Sequence, residues 1–254
     1  VKIFIDPGHG GSDPGAVAYG LKEKNLTLTI AKYIRDYLKG YNCSVKMSRT
    51  NDKTLSLSQR TNDANRWGAD FFLSVHINAG GGTGYEDYIY NGVSNSSESA
   101  KIRNIVHAEV AKALKKYKVT NRGKKKANFH VLRETKMPAM LSETLFIDTK
   151  KDAELLKDNK FLKDIGQAHA KGIVKAFNLS GGSTSKSKKE PLLDQFVKQS
   201  KKDGKSKSIS QMAQEVIAGK HGNGHAQRRK SLGISTSEYA KVRAEVNRRL
   251  TGKA

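Results

Sequence analysis

Strand-sized and helix-sized apolar patterns alternate along residues 1–179, and that alternation restricts the fold more than any other feature. Residues 2–5, 44–48, 71–77, 85–90 and 139–145 have the length and composition of strands. Between them, Leu26, Ile30, Ile34 and Leu38 recur every four residues, which sets one side of a helix over 26–38 against a core. Further helices are predicted over 58–67, 97–117 and 161–177. The run Phe71-Phe72-Leu73-Ser74-Val75 is apolar without alternation, so it belongs in a sheet covered on both faces. An α/β fold, with a mostly parallel sheet flanked by helices, satisfies both patterns.

The pattern stops after Leu179. Residues 180–207 are rich in Ser, Gly and Lys, a flexible and self-repelling composition that reads as a linker. Helical periodicity then resumes over 208–254, through Met212, Val216 and Ile217, then Tyr239, Val242, Val246 and Leu250. The expected organisation is therefore a first domain over 1–179, a basic linker over 180–207 and a small helical module over 208–254.

Charge adds a constraint on partners. The chain has 47 Lys+Arg against 24 Asp+Glu, a net charge of +23, with +12 on residues 1–179 and +11 on the much shorter remainder. Such a chain is drawn to a polyanion, whether nucleic acid, anionic lipid or an acidic cell-wall polymer. Nucleic acid is the weaker candidate, because the tail lacks the aromatic interleaving of single-strand binders and a recognition-helix pattern. No apolar run approaches the ~20 residues that span a bilayer, so no membrane insertion is expected. Val1-Lys2-Ile3-Phe4-Ile5 reads as a strand instead of a signal peptide. The single Cys43 rules out an internal disulfide, and any metal site must be built from His and carboxylates.

Such residues cluster at predicted strand ends. His9 lies in the tight turn Asp6-Pro7-Gly8-His9-Gly10-Gly11 after the first strand, and His76 ends the most apolar strand. Glu23 opens the helix that carries Leu26 and Ile30. In open α/β sheets, ligands gather at the carboxyl ends of strands and the adjoining helix starts. Two imidazoles and a carboxylate there would make a three-ligand zinc site with one position open. Glu143, at the end of another apolar strand, would then serve as a general base. Each residue also has a structural reading: a strand-end His in a hydrogen bond, a Glu favoured by the helix dipole, a Glu143 paired with lysine. Residue types and spacing leave both open. His107 and His169 read as packing or surface positions within helices, and His130, His221 and His225 lack a comparable setting.

The same segments carry a family resemblance. Ile3-Phe4-Ile5-Asp6-Pro7-Gly8-His9-Gly10-Gly11, Gly20-Leu21-Lys22-Glu23-Lys24, Phe71-Phe72-Leu73-Ser74-Val75-His76-Ile77-Asn78 and Ala127-Asn128-Phe129-His130-Val131-Leu132 occur in order. Together they resemble the zinc-dependent N-acetylmuramoyl-L-alanine amidases of the type 3 family, especially the Bacillus sporulation and phage enzymes. That resemblance implies one Zn2+ held by His9, Glu23 and His76, with Glu143 catalytic. Many relatives have Gly two residues after the catalytic Glu, where this chain has Leu145, a bulkier residue expected to shift the strand end or narrow the cleft. The tail resembles a cell-wall-binding repeat of the Cpl-seven type, a three-helix module, with Gly222, Asn223, Gly224, Arg228 and Arg229 as candidate muropeptide contacts. His221 stands there in place of an aromatic residue.

The implied activity is hydrolysis of the amide between the lactyl group of N-acetylmuramic acid and L-alanine in peptidoglycan, with anionic wall polymers as further partners. Without a leader, such an enzyme would reach the wall after lysis or through a membrane hole, as an endolysin or an autolysin. Two other readings remain at this stage: a zinc peptidase acting on another wall amide, and a non-catalytic polyanion-binding protein. Oligomeric state is left open.

Overall fold

The computed structural model describes residues 1–181, 209–217 and 225–251. The chain divides into two compact units, Val1–Ser185 and Lys186–Ala254.

In the first unit, β1 (Lys2–Pro7), β4 (Ser44–Met47), β5 (Phe71–Asn78), β6 (Tyr85–Tyr90), β7 (Asn121–Ala127) and β8 (Ala139–Phe146) form one sheet, while β2 (Val17–Ala18) and β3 (Leu21–Lys22) make a small ribbon. The sheet order is β4-β1-β5-β8-β6-β7, and only the β6–β8 pairing is antiparallel. This is the mostly parallel sheet expected from the sequence. Its central strands are apolar on both sides because both faces are covered. Ile3, Ile5, Phe71, Leu73 and Val75 pack with α1 (Glu23–Leu38), α3 (Glu98–Lys115) and α6 (Asn159–Phe177). Phe4 and Phe72 stack at 5.6 Å on the opposite face and pack with α2 (Leu57–Trp67) and α4 (His130–Arg133). A helix α5 (Lys150–Lys157) leads from β8 into α6.

Helix boundaries follow local chemistry. Ser56 and Gln59 form a reciprocal capping box at the start of α2, and Gly68 ends it in the left-handed conformation. Ser97 caps α3 through Ala100 N. The two-residue strands β2 and β3 were not legible, nor was one strand of the main sheet. The segment β7, Asn-Arg-Gly-Lys-Lys-Lys-Ala, has no apolar pattern, and it exists because it pairs with β6 at the sheet edge. Lysines on an edge strand also discourage pairing with a second sheet.

In the second unit, α7 (Ile209–Ile217), α8 (His225–Leu232) and α9 (Thr236–Thr251) are the helices among the described residues. Met212, Ala213, Val216, Ile234, Tyr239 and Val242 form its core. Val246 packs against that core as expected, whereas Ile217 faces solvent. No helix among the described residues is long and apolar enough to cross a membrane.

Candidate metal centre

The site is built from three loop-proximal positions that the sheet brings together. His9 follows β1 in the left-handed conformation, φ 59°, which is unfavourable for a residue with a Cβ and persists only where the surroundings enforce it. Two buried arginines supply that enforcement. Arg60 donates to His9 O at 2.8 Å and to Pro7 O, and its guanidinium pairs with buried Asp6. Arg49 donates to Pro7 O and Gly8 O, fixing the preceding turn. The imidazole is oriented by Asp13, whose Oδ2 lies 2.8 Å from Nδ1.

Glu23 is the first residue of α1 and is buried. Its Oε2 lies 3.1 Å from His9 Nε2 and its Oε1 3.0 Å from His76 Nδ1. Backbone N–H groups of Ala16 and Ile77 donate to the same carboxylate, so its position is fixed from four sides. Burial pushes the Glu23 carboxyl up, but the bonds and charges of His76 and His9 outweigh it and hold the group well below the ordinary range. Both imidazoles move the other way. Burial lowers each, and the carboxylates around them raise the net value.

Close packing keeps the three together. A Cβ on Gly8 would come within 2.3 Å of the His76 ring, and one on Gly15 within 2.7 Å of Glu23 Oε2 and His9 Cδ2. The available ligand atoms of His9, Glu23 and His76 all lie within 4.8 Å of one another, so the three can hold a metal ion. The donor set, two imidazoles and one carboxylate, fits zinc.

Glu143 stands on β8 directly opposite His76 on β5 and Glu86 on β6. Its Oε2 is buried with no hydrogen-bond partner among the described residues. Burial pushes its carboxyl up to about 7; the charges of Glu23 and Glu86 add to this and those of His76 and His9 oppose it. A buried polar atom without a partner beside a cluster of ligands fits a site that works on a bound group.

Comparisons with known proteins show the family. Residues 3–175 match the family model described as N-acetylmuramoyl-L-alanine amidase, and residues 210–250 match the CW_7 repeat. The chain belongs to the N-acetylmuramoyl-L-alanine amidase family. It is similar to the amidase CwlM of Bacillus licheniformis, 57% identical over 182 residues that cover 71% of this chain and 70% of that protein. It is also similar to the endolysin of Bacillus phage SPP1, 44% identical over 194 residues, covering 74% of this chain and 72% of the phage protein. Among solved structures, the catalytic domain of the amidase CwlV from Bacillus (Paenibacillus) polymyxa var. colistinus superposes with a TM-score of 0.65 at 33% identity, covering 70% of this chain and 99% of that one. The resemblance drawn from the motifs is thus confirmed: the chain is an amidase of cell-wall peptidoglycan, not a passive polyanion binder.

The other singled-out residues fall elsewhere. His107 and His169 are buried packing residues rather than surface ones, His107 Nδ1 lying 2.6 Å from Asp87. His130 opens α4 outside the metal cluster. Cys43 is half-buried and burial pushes its thiol up, which disfavours the thiolate, and it is not among the clustered His9, Glu23 and His76. Of the two effects expected of Leu145, the structure shows an irregular strand end, with a register shift opposite it, and a side chain fully buried in the main core. Gly222, Asn223, Gly224 and His221 lie outside the described residues. Arg228 and Arg229 are half-buried, Arg229 donating to Thr236 Oγ1 and Arg228 lying against Tyr239. Asp13, Arg49 and Arg60 escaped the sequence reading: Asp13 is only four positions from His9 but sits in a turn with no periodic pattern to pair them, while Arg49 and Arg60 act through contacts up to 54 positions away that nothing local marks.

Proposed function

We propose that His9, Glu23 and His76 hold one Zn2+ and that Glu143 is the general base and acid for hydrolysis of the amide between N-acetylmuramic acid and L-alanine. Zinc, when bound, supplies a Lewis acid that activates water and polarises the scissile carbonyl. The chain's own residues do the rest. Glu143 Oε2 accepts a proton from the attacking water and returns it to the departing alanine nitrogen. A carboxyl near pH 7 in affinity can do both. Asp13 holds the His9 ring, and the Ala16 and Ile77 amides hold Glu23, so the ligands need little rearrangement. The observation that carries this reading is the unpartnered Oε2 of Glu143 on the strand next to His76.

The second unit is the wall anchor in this reading, with Arg228 and Arg229 among its contacts and the anionic wall polymers as secondary partners. Its match to the CW_7 repeat supports that role.

The test separates metal from base. Glu143→Gln should keep zinc near the wild-type content while wall lysis falls by at least ~100-fold. His9→Ala or His76→Ala should lose both metal and activity. Lysis within a few-fold of wild type in Glu143→Gln would remove Glu143 from the mechanism, and stoichiometric zinc in either His variant would remove that ligand. Mass spectrometry of digested walls should show new L-alanine amino termini.

A further inference from the structure

The face of the sheet that carries Glu143 continues into a second charged cluster. Glu86, opposite Glu143 on β6, accepts from Arg122 Nε at 2.7 Å, Lys125 Nζ at 2.5 Å, Tyr88 Oη at 2.7 Å and Asn78 Nδ2 at 2.9 Å. A bulge in β7 sets Arg122 and Gly123 together against Glu86, so no side chain from Gly123 covers that carboxylate. One carboxylate between two cations leaves a net positive charge. Arg122 lies over the Phe146 ring, with its guanidinium carbon 4.8 Å from the centroid. Its Nε is occupied by Glu86, whereas its two Nη groups have no hydrogen-bond partner among the described residues, and the side chain is 34% exposed. A guanidinium fixed through Nε and an aromatic face, with both Nη groups free, is prepared for a second oxyanion.

We propose that Arg122, with Lys125 beside it, is a subsite for a free carboxylate on the peptide side of the scissile amide. The inference rests on the amidase reading above. Substrate chemistry decides the side. The muramic acid carboxyl is the one tied up in the amide, so the glycan offers no free carboxylate near the reacting bond. In a stem whose second residue is a γ-linked glutamate, the α-carboxylate is the first anion beyond that bond. Two residues of extended chain reach about 7 Å. Strands lie about 4.8 Å apart, so β7 runs about 10 Å from β8, and Arg122 leans back across that gap onto Phe146 of β8 itself. The spans match. The peptide therefore runs over β6 towards β7, and the glycan leaves on the other side of the metal cluster.

The experiment uses the full-length, zinc-loaded protein on two soluble muropeptides that differ only in the second stem residue, with its α-carboxylate free or amidated. Neither carries wall polymer, so phosphate binding cannot enter. Wild type should favour the free carboxylate by at least ~10-fold in kcat/KM, the scale of a charge-assisted pair. In Arg122→Gln that ratio should collapse to within about twofold of one, with Arg122→Lys between the two. The ratio cancels any change in the active fraction, so a purely structural defect would leave it intact. An unchanged ratio in Arg122→Gln, or a wild-type ratio near one, overturns the subsite. Failure to produce L-alanine amino termini from either substrate would instead defeat the amidase reading on which it stands.

Discussion

His169 is buried at the centre of α6 with Nδ1 2.9 Å from Ile165 O, and its Nε2 has no partner among the described residues. Burial lowers its pKa to about 4, with the Ile165 carbonyl and the Asp87 charge opposing. The sign of the consequence follows from which state binds the proton first. In the unfolded chain the imidazole protonates near 6.5; in the folded one it resists until about 4. The contribution is therefore fully present above pH 6.5 and is lost as pH falls towards 4, at ~1.4 kcal/mol per unit and about 3 kcal/mol in all. His169→Leu should flatten this part of the pH–stability curve, read as the difference between wild-type and variant urea midpoints from pH 7 to 4.5. A constant difference across that range would refute the assignment. His9 and His76, the proposed ligands, are shifted upwards by their carboxylates instead, so the same residue type is driven in opposite directions within one domain. Nothing in the sequence around His9, His76 or His169 announces that difference, because it depends on which carboxylates the fold delivers.

Among the elements, β8 shows how a local departure is absorbed. His76 pairs with Glu143 and Asn78 with Phe146, so Ile77 faces both Thr144 and Leu145 in a bulge. Leu145 takes φ 67° there, the conformation that suits glycine, the residue the family resemblance leads one to expect at this position. Its side chain is fully buried among the core residues, so packing offsets the strain. The two terms can be separated. Leu145→Ala leaves the strained backbone and opens a cavity, a loss of about 3–5 kcal/mol. Leu145→Gly opens a similar cavity but relieves about 1–2 kcal/mol of left-handed strain. The glycine variant should therefore be the more stable of the two by ~1 kcal/mol in urea unfolding, the reverse of the order at an ordinary buried strand site. An alanine variant that is more stable than the glycine one would contradict this account.

For the whole molecule, the proposed catalytic and wall-binding roles fall on separate units with separate cores. The chain stays tied to the first unit through Gly181: Asn42 N donates to Ser180 O at 2.9 Å, and Tyr41 bridges Gly181. A chain ended after Gly181 keeps those contacts and all four site residues. It should fold and cleave soluble muropeptides at close to the wild-type rate, but bind intact walls more weakly, having lost the CW_7 repeat and all of the +11 charge. Co-sedimentation with purified walls at low and ~0.5 M salt measures this, since a purely electrostatic attachment is screened as the Debye length shrinks from about 10 Å at 0.1 M towards 3 Å at 1 M. Equal wall binding by the shortened and full chains at matched salt would show that the second unit is not the anchor.

Periodicity and burial preference are properties of neighbouring residues, so the sequence by itself determined the α/β class, the helix carrying Leu26, Ile30, Ile34 and Leu38, the doubly covered strand over 71–77 and the change of composition after Leu179. Motif order along the chain was enough to nominate His9, Glu23, His76 and Glu143. Only the tertiary structure decided that three of them meet within 4.8 Å, that Arg49 and Arg60 fix the turn carrying His9, and that lysine-rich β7 is a strand paired with β6. The physical reason is range. A hydrogen bond from Arg60 to His9, or from Arg122 to Glu86, joins residues 51 and 36 positions apart, and its existence depends on sheet order and register that no local pattern contains.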